Sequence, residues 1–113
     1  MKNYRLVFRV VDRDKFNEII EGIKTIETRA ATTKYQAIHK GDIVTFVCGG
    51  AEISKTVTRV EHFGTLDEMF SQLPLQRIMP SVKNIEAAKK VYQGFPNYME
   101  KIAATGILAF HLE

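Results

Sequence analysis

The 113 residues carry 16 Lys and Arg against 13 Asp and Glu, a formal net charge of +3, and 45% of them are hydrophobic. That length suits one core and a single domain over residues 1–113, and no apolar run approaches the roughly 20 residues that a membrane-spanning helix needs. The opening Met1-Lys2-Asn3-Tyr4-Arg5-Leu6 has no apolar segment long enough for a secretory leader, and the mild basicity is compatible with a nucleic-acid partner without demanding one.

Tyr4–Val10 alternates and predicts a strand with Leu6, Phe8 and Val10 on one face. Asp12 or Asp14 can cap a helix in which Phe16, Ile19, Ile20 and Ile23 recur at helical spacing, with Gly22 where a C-terminal cap belongs. Lys24–Arg29 follows as a strand. Ala30–Lys40 reads as a loop anchored by Tyr35 and Ile38, and Gly41-Asp42 turns into the buried strand Ile43–Cys48. Cys48 is the one cysteine, which excludes an intramolecular disulfide and suits a reducing, cytoplasmic setting; as a buried hydrophobe it needs no chemical role. Gly49-Gly50 signals a hairpin to a return strand over about Glu52–Phe63. Thr65 can cap a helix carrying Leu66, Met69, Phe70 and Leu73, stopped by Pro74. A short helical turn over Leu75–Pro80, a helix through Ile85, Ala88, Val91 and Tyr92 to Gly94, a helical stretch after Pro96 and a last strand from Gly106 complete the order. This is not the βαβα rhythm of a parallel doubly wound sheet.

The chemistry concentrates in the second predicted strand. Alternation puts Thr25, Glu27 and Arg29 on one face, successive side chains about 7 Å apart, with Ile26 and Thr28 on the other. Charged groups go inside only when paired. The row is therefore either an exposed ion pair worth about 0–1 kcal/mol or the polar floor of a cleft, with Lys24 approaching from the helix end. A guanidinium beside a carboxylate can read a base edge or a phosphate, and a desolvated lysine can act as a base.

Gly22-x-Lys24-x-x-Glu27-x-Arg29 followed by Gly41-Asp42-Ile43-Val44-Thr45-Phe46 resembles the signature of the ASCH domain family, a branch of the PUA-like superfamily. Tyr92-Gln93-Gly94-Phe95-Pro96-Asn97-Tyr98 and Gly106–Leu112 extend the likeness to small prokaryotic single-domain members over nearly the whole chain. The resemblance implies an α+β, PUA-like small mixed β-barrel of five to six strands, helices covering one mouth, and an RNA-linked role. The site it implies comprises Lys24, Thr25, Glu27 and Arg29 as ligand-binding residues for RNA or a nucleoside, and Tyr98, read from the residues as the aromatic that stacks on a base, joins them.

Two other classes stay open. One is a hydrolase, a ribonuclease or an N4-acetylcytidine amidohydrolase, with Lys24 as base and Glu27 as acid–base or water-orienting group. The small bacterial amidohydrolases are similar in this strand, reading Lys-Thr-Ile-Thr-Ile-Arg; their lysine falls on Lys24, their arginine on Arg29 and their threonine nucleophile on Glu27, while their acid falls near Arg77. The other is a protein-binding adaptor.

Nothing else competes with that strand. His39, His62 and His111 lack metal-ligand spacing to each other or to Cys48, and no phosphate-binding glycine loop implies a nucleotide cofactor, so neither metal nor cofactor is expected. Tyr92, Phe95 and Tyr98 are a stacking platform or, more simply, core packing. Lys83, Lys89, Lys90 and Lys101 read as a solvated helix face. A regular motif strand predicts Ile26 packed with Leu6 or Phe8 and Ile43 or Phe46, with Ala30–Lys40 and Tyr92–Tyr98 as cleft walls.

Overall fold

A computed structural model describes residues 1–113. The five strands are β1 Asn3–Phe8, β2 Ile26–Ala30, β3 Ile43–Cys48, β4 Ala51–Phe63 and β5 Ile107–Leu112. They form one mixed sheet in the order β1-β3-β4-β5-β2. β1 runs parallel to β3; the other pairs are antiparallel. The 13-residue β4 is the spine, its first half paired with β3 and its second with β5, with a register shift between Val57 and Arg59 where the sheet bends. The sheet curls into a half-barrel whose edge strands, β1 and β2, are not hydrogen-bonded to each other. The expected α+β fold is thus present, with the lower of the two strand counts.

Six α-helices complete it: α1 Arg13–Ile20, α2 Thr33–Gln36, α3 Leu66–Gln72, α4 Leu75–Ile78, α5 Ile85–Gly94 and α6 Tyr98–Thr105. β5 is buried on both faces and divides the interior. Leu108 and Phe110 join Leu6, Phe16, Ile19 and Phe46 under α1, while Ile107 and Ala109 join Ile26, Met69, Ile78 and Tyr92 under α3–α6. Ile26 is fully buried, but on the helix side rather than with Leu6, Phe8 or Phe46. Pairing with β5 fixes its register and sends Ile26, Thr28 and Ala30 toward the helices.

Local departures from the sequence reading have local causes. Thr65 caps α3 as expected, its Oγ1 accepting the Glu68 N–H at 3.1 Å. β1 stops at Phe8, and a 3-10 turn over Val10–Asp12 leads into α1. Asp12 occupies the N-cap position without a side-chain capping bond and pairs instead with Arg9 at 2.8 Å. α1 ends at Ile20, so Ile20 and Ile23 are about half exposed. Gly22, at φ +80, turns the chain back so that the amides of Ile23 and Lys24 both reach the Glu18 carbonyl. That turn delivers Lys24 beneath the sheet edge. The Ala30–Lys40 loop contains the single-turn α2, too short to show a helical period.

Candidate functional site

Between the unbonded edges of β1 and β2 lies a cavity of about 240 Å³. Lys24, Glu27, Thr28, Arg29 and Tyr92 form its floor; Phe8, Met79, Phe95 and Tyr98 form its walls; Arg9, Asp12, Lys15 and Lys101 stand around its mouth.

Lys24 is 4% exposed. Its ammonium donates to the Ile26 carbonyl at 2.9 Å and the Ile78 carbonyl at 2.6 Å, and lies 3.2 Å from Glu27 Oε1. All three ammonium N–H bonds are therefore engaged. Glu27 is equally buried. Its Oε1 also accepts the Thr28 N–H at 3.1 Å, and its Oε2 accepts Arg29 Nε at 3.1 Å and Nη2 at 3.0 Å. Arg29 gives a third bond, from Nη1 to the Tyr35 hydroxyl at 3.2 Å. Its guanidinium lies over the rings of Phe8 and Tyr35, 5.2 and 5.5 Å from their centroids.

The electrostatics follow from burial and pairing. Burial dominates at Lys24 and lowers its pKa against the pull of Glu27. Burial alone would raise the Glu27 carboxyl, but Lys24 and Arg29 together hold it below the ordinary range. Arg29 is opposed by burial, yet Glu27 raises it further and keeps it charged. The Tyr98 phenol is pushed up to about 12 by burial, so it stays a neutral donor. Burial likewise raises Tyr92, whose hydroxyl lies 2.5 Å from that of Thr28.

The structure brings Lys24, Glu27, Arg29 and Tyr98 together around this cavity and leaves Thr25 out. β2 begins at Ile26, and Thr25 is turned to the opposite side, where its Oγ1 accepts Arg77 Nε at 2.8 Å and its N–H meets the Arg77 carbonyl. Arg77, at the counted position of the amidohydrolase acid, is thus a partner of Thr25 outside the cavity. Thr28 does point to the helix face, yet it lines the cavity because the space wraps the free edge of β2. Of the expected walls, Tyr92–Tyr98 serves, whereas Ala30–Lys40 contributes only Tyr35, as a partner of Arg29. Tyr92, Phe95 and Tyr98 pack on one another: Tyr92 and Tyr98 are stacked 6.1 Å apart, and Phe95 meets both edge-on.

Sequence reasoning missed Phe8, Arg9, Asp12, Lys15, Met79 and the position of Lys101, which faces the cavity mouth rather than only solvent. They come from separate elements, one or two from each, so no spacing marks them. The one usable signal was charge at the end of the first strand, Arg9 followed by Asp12 and Lys15.

Charge is distributed unevenly. Five of the sixteen Lys and Arg line the cavity against two of the thirteen Asp and Glu, a local excess of three; the remaining eleven of each sign cancel. The cavity therefore holds the chain's whole formal excess. No group of three or more His, Cys, Asp or Glu is arranged to hold a metal ion, and no helix is long and apolar enough to cross a membrane.

No curated protein matches the chain. Among solved structures, the crystal structure of hypothetical protein PH0355 is 27% identical, with a TM-score of 0.85 over 100% of this chain and 98% of that one. The solution structure of protein PF0455 from Pyrococcus furiosus is 28% identical, with a TM-score of 0.75 over 100% and 96%. The sequence model of the ASCH domain matches residues 11–111. With the half-barrel carrying the Lys24–Glu27–Arg29 floor and the match spanning nearly all of it, the chain belongs to the ASCH domain family, on a PUA-like fold.

Proposed function

We propose that the protein binds single-stranded RNA or a nucleotide fragment of it in the cavity between β1 and β2. The observation that carries this reading is the confinement of the entire formal charge excess to one cleft, which draws a polyanion to that face. Arg29 is the recognition group. It has five N–H bonds, three of them held by Glu27 and Tyr35, and two remain for a ligand. Lys24 and Glu27 are positioning residues that fix the guanidinium, and Arg9, Lys15 and Lys101 attract the phosphates. Hydrolysis with Lys24 as base is less well supported, because its ammonium already gives every N–H bond to an acceptor.

Fluorescence anisotropy with labelled single-stranded RNA of about ten nucleotides tests this across salt concentrations. The expected results are binding that weakens with salt, a loss of about tenfold or more for Arg29→Ala, and a salt slope reduced by about one for Lys101→Ala. An exposed control, Lys83→Ala, should bind as wild type. Equal binding by wild type and Arg29→Ala removes the cleft from the reading. Mass spectrometry of the RNA and of N4-acetylcytidine after incubation should show both unchanged; turnover lost in Lys24→Ala would install the hydrolase instead.

A further inference from the structure

The floor of this cavity has little left with which to read a base. A carboxylate offers about four lone-pair sites, and Glu27 already faces four donors: Lys24 Nζ, the Thr28 amide, and Nε and Nη2 of Arg29. It has no free acceptor for an exocyclic amine. What remains is mostly donors. Arg29 keeps two N–H bonds, and Tyr98, whose oxygen accepts the Ala30 N–H at 2.9 Å, keeps its own O–H. The Thr28–Tyr92 pair shares one hydrogen between its oxygens and has a second to give.

One face of each ring is engaged as well. Phe8 lies against Arg29, Tyr98 stacks on Tyr92, and Arg9 covers Phe95 with its guanidinium 5.4 Å from the ring centroid. An unstacked base normally needs an aromatic or guanidinium plane and both kinds of hydrogen-bond partner. A phosphoryl group needs only donors and positive charge, and as a monoester it carries about −1.5 to −2 at neutral pH.

We propose that the depth of the cavity receives a terminal phosphate monoester, its oxygens on Arg29 and Tyr98, with the attached nucleoside leaving past Arg9, Lys15 and Lys101. The inference rests on the nucleic-acid reading and narrows it from RNA in general to a phosphorylated strand end or a free nucleoside monophosphate. An internal phosphodiester has chain on both sides, whereas here buried residues close one end and charged residues mark the other, with Arg9 and Lys101 exposed and Lys15 partly covered.

The test uses the full chain and one RNA octamer in three forms: 5′-phosphorylated, 3′-phosphorylated, and with hydroxyls at both ends. A nucleoside 5′-monophosphate, the matching nucleoside and inorganic phosphate complete the set, each measured by calorimetry at fixed salt. Expected is about tenfold or tighter binding of at least one phosphorylated octamer over the hydroxyl form, and binding of the monophosphate but not the nucleoside. Tyr98→Phe, which keeps the ring and removes the donor, should shrink that preference. Lys101→Gln should weaken all three octamers alike and leave the preference intact. Binding of the monophosphate without any octamer supports the phosphomonoester site and assigns it to free nucleotides. Equal affinity for all three octamers, with sensitivity to Arg29→Lys retained, overturns the terminal-phosphate proposal while the RNA reading stands. Failure of every RNA and nucleotide to bind overturns both.

Discussion

Glu27 is the residue on which the site turns, although it has no free atom to offer a ligand. It sits between two cations in a dry position, where attraction and hydrogen bonding must outweigh desolvation. Removing its charge leaves Lys24 and Arg29 without their shared partner. Glu27→Gln should therefore lower stability by about 3–5 kcal/mol, read from urea denaturation followed by circular dichroism. The pH dependence has a definite sign. The folded carboxyl titrates below its unfolded value of about 4.3. Between the two values the unfolded chain binds more protons, so this contribution is complete above about pH 4.3 and is lost as pH falls through the folded value. Wild type should show that acid limb, and Glu27→Gln should show a shallower one. An identical acid limb in both proteins would mean that Glu27 is not held as described.

At the scale of elements, two glycine turns place the strands that carry the site. Gly22 (φ +80) ends the approach from α1 and has open space where a Cβ would stand. Gly106 (φ +83) opens β5, and a Cβ there would lie 2.5 Å from the Phe63 carbonyl oxygen and 2.6 Å from His62 Nε2. Gly22→Ala should cost about 1 kcal/mol of backbone strain. Gly106→Ala should cost clearly more, since a strand end must move as well; thermal melts of the two variants rank them. Much of this scaffold was readable in advance. Helical spacing found α1, α3 and α5, the Gly49-Gly50 turn joins β3 to β4, and alternation put Glu27 and Arg29 on one face. Thr25 was misassigned because alternation holds only inside a strand, and pairing with β5 starts β2 at Ile26. Ile20 and Ile23 share the helical spacing of Phe16 and Ile19 yet stand about half exposed, because the pattern does not reveal that the chain reverses at Gly22. The mouth of the cavity left only the charge after the first strand as a trace, for a different reason: Arg9, Lys15 and Lys101 come together only after the end of β1, α1 and α6 have packed.

For the molecule as a whole, a net charge of +3 is unremarkable in the sequence and becomes informative only once folding gathers it at one seam. That seam has a second consequence. A half-barrel leaves β2 with a free edge, and a free edge is a template for a strand from another chain. Here side chains occupy the outward backbone groups. Lys24 Nζ takes the Ile26 carbonyl, Glu27 Oε1 takes the Thr28 amide, and Tyr98 Oη takes the Ala30 amide. These side chains thus occupy the place of a missing sixth strand and shield the free edge of β2 from edge-to-edge pairing. Glu27→Ala combined with Tyr98→Phe uncovers two amides on one edge. Light scattering should detect concentration-dependent association of that double variant beyond that of wild type, and Lys101→Ala should behave as wild type beside it. Loss of binding in a motif variant must therefore be read together with its oligomeric state, because the side chains that shape the pocket also keep one copy of the sheet from extending into the next.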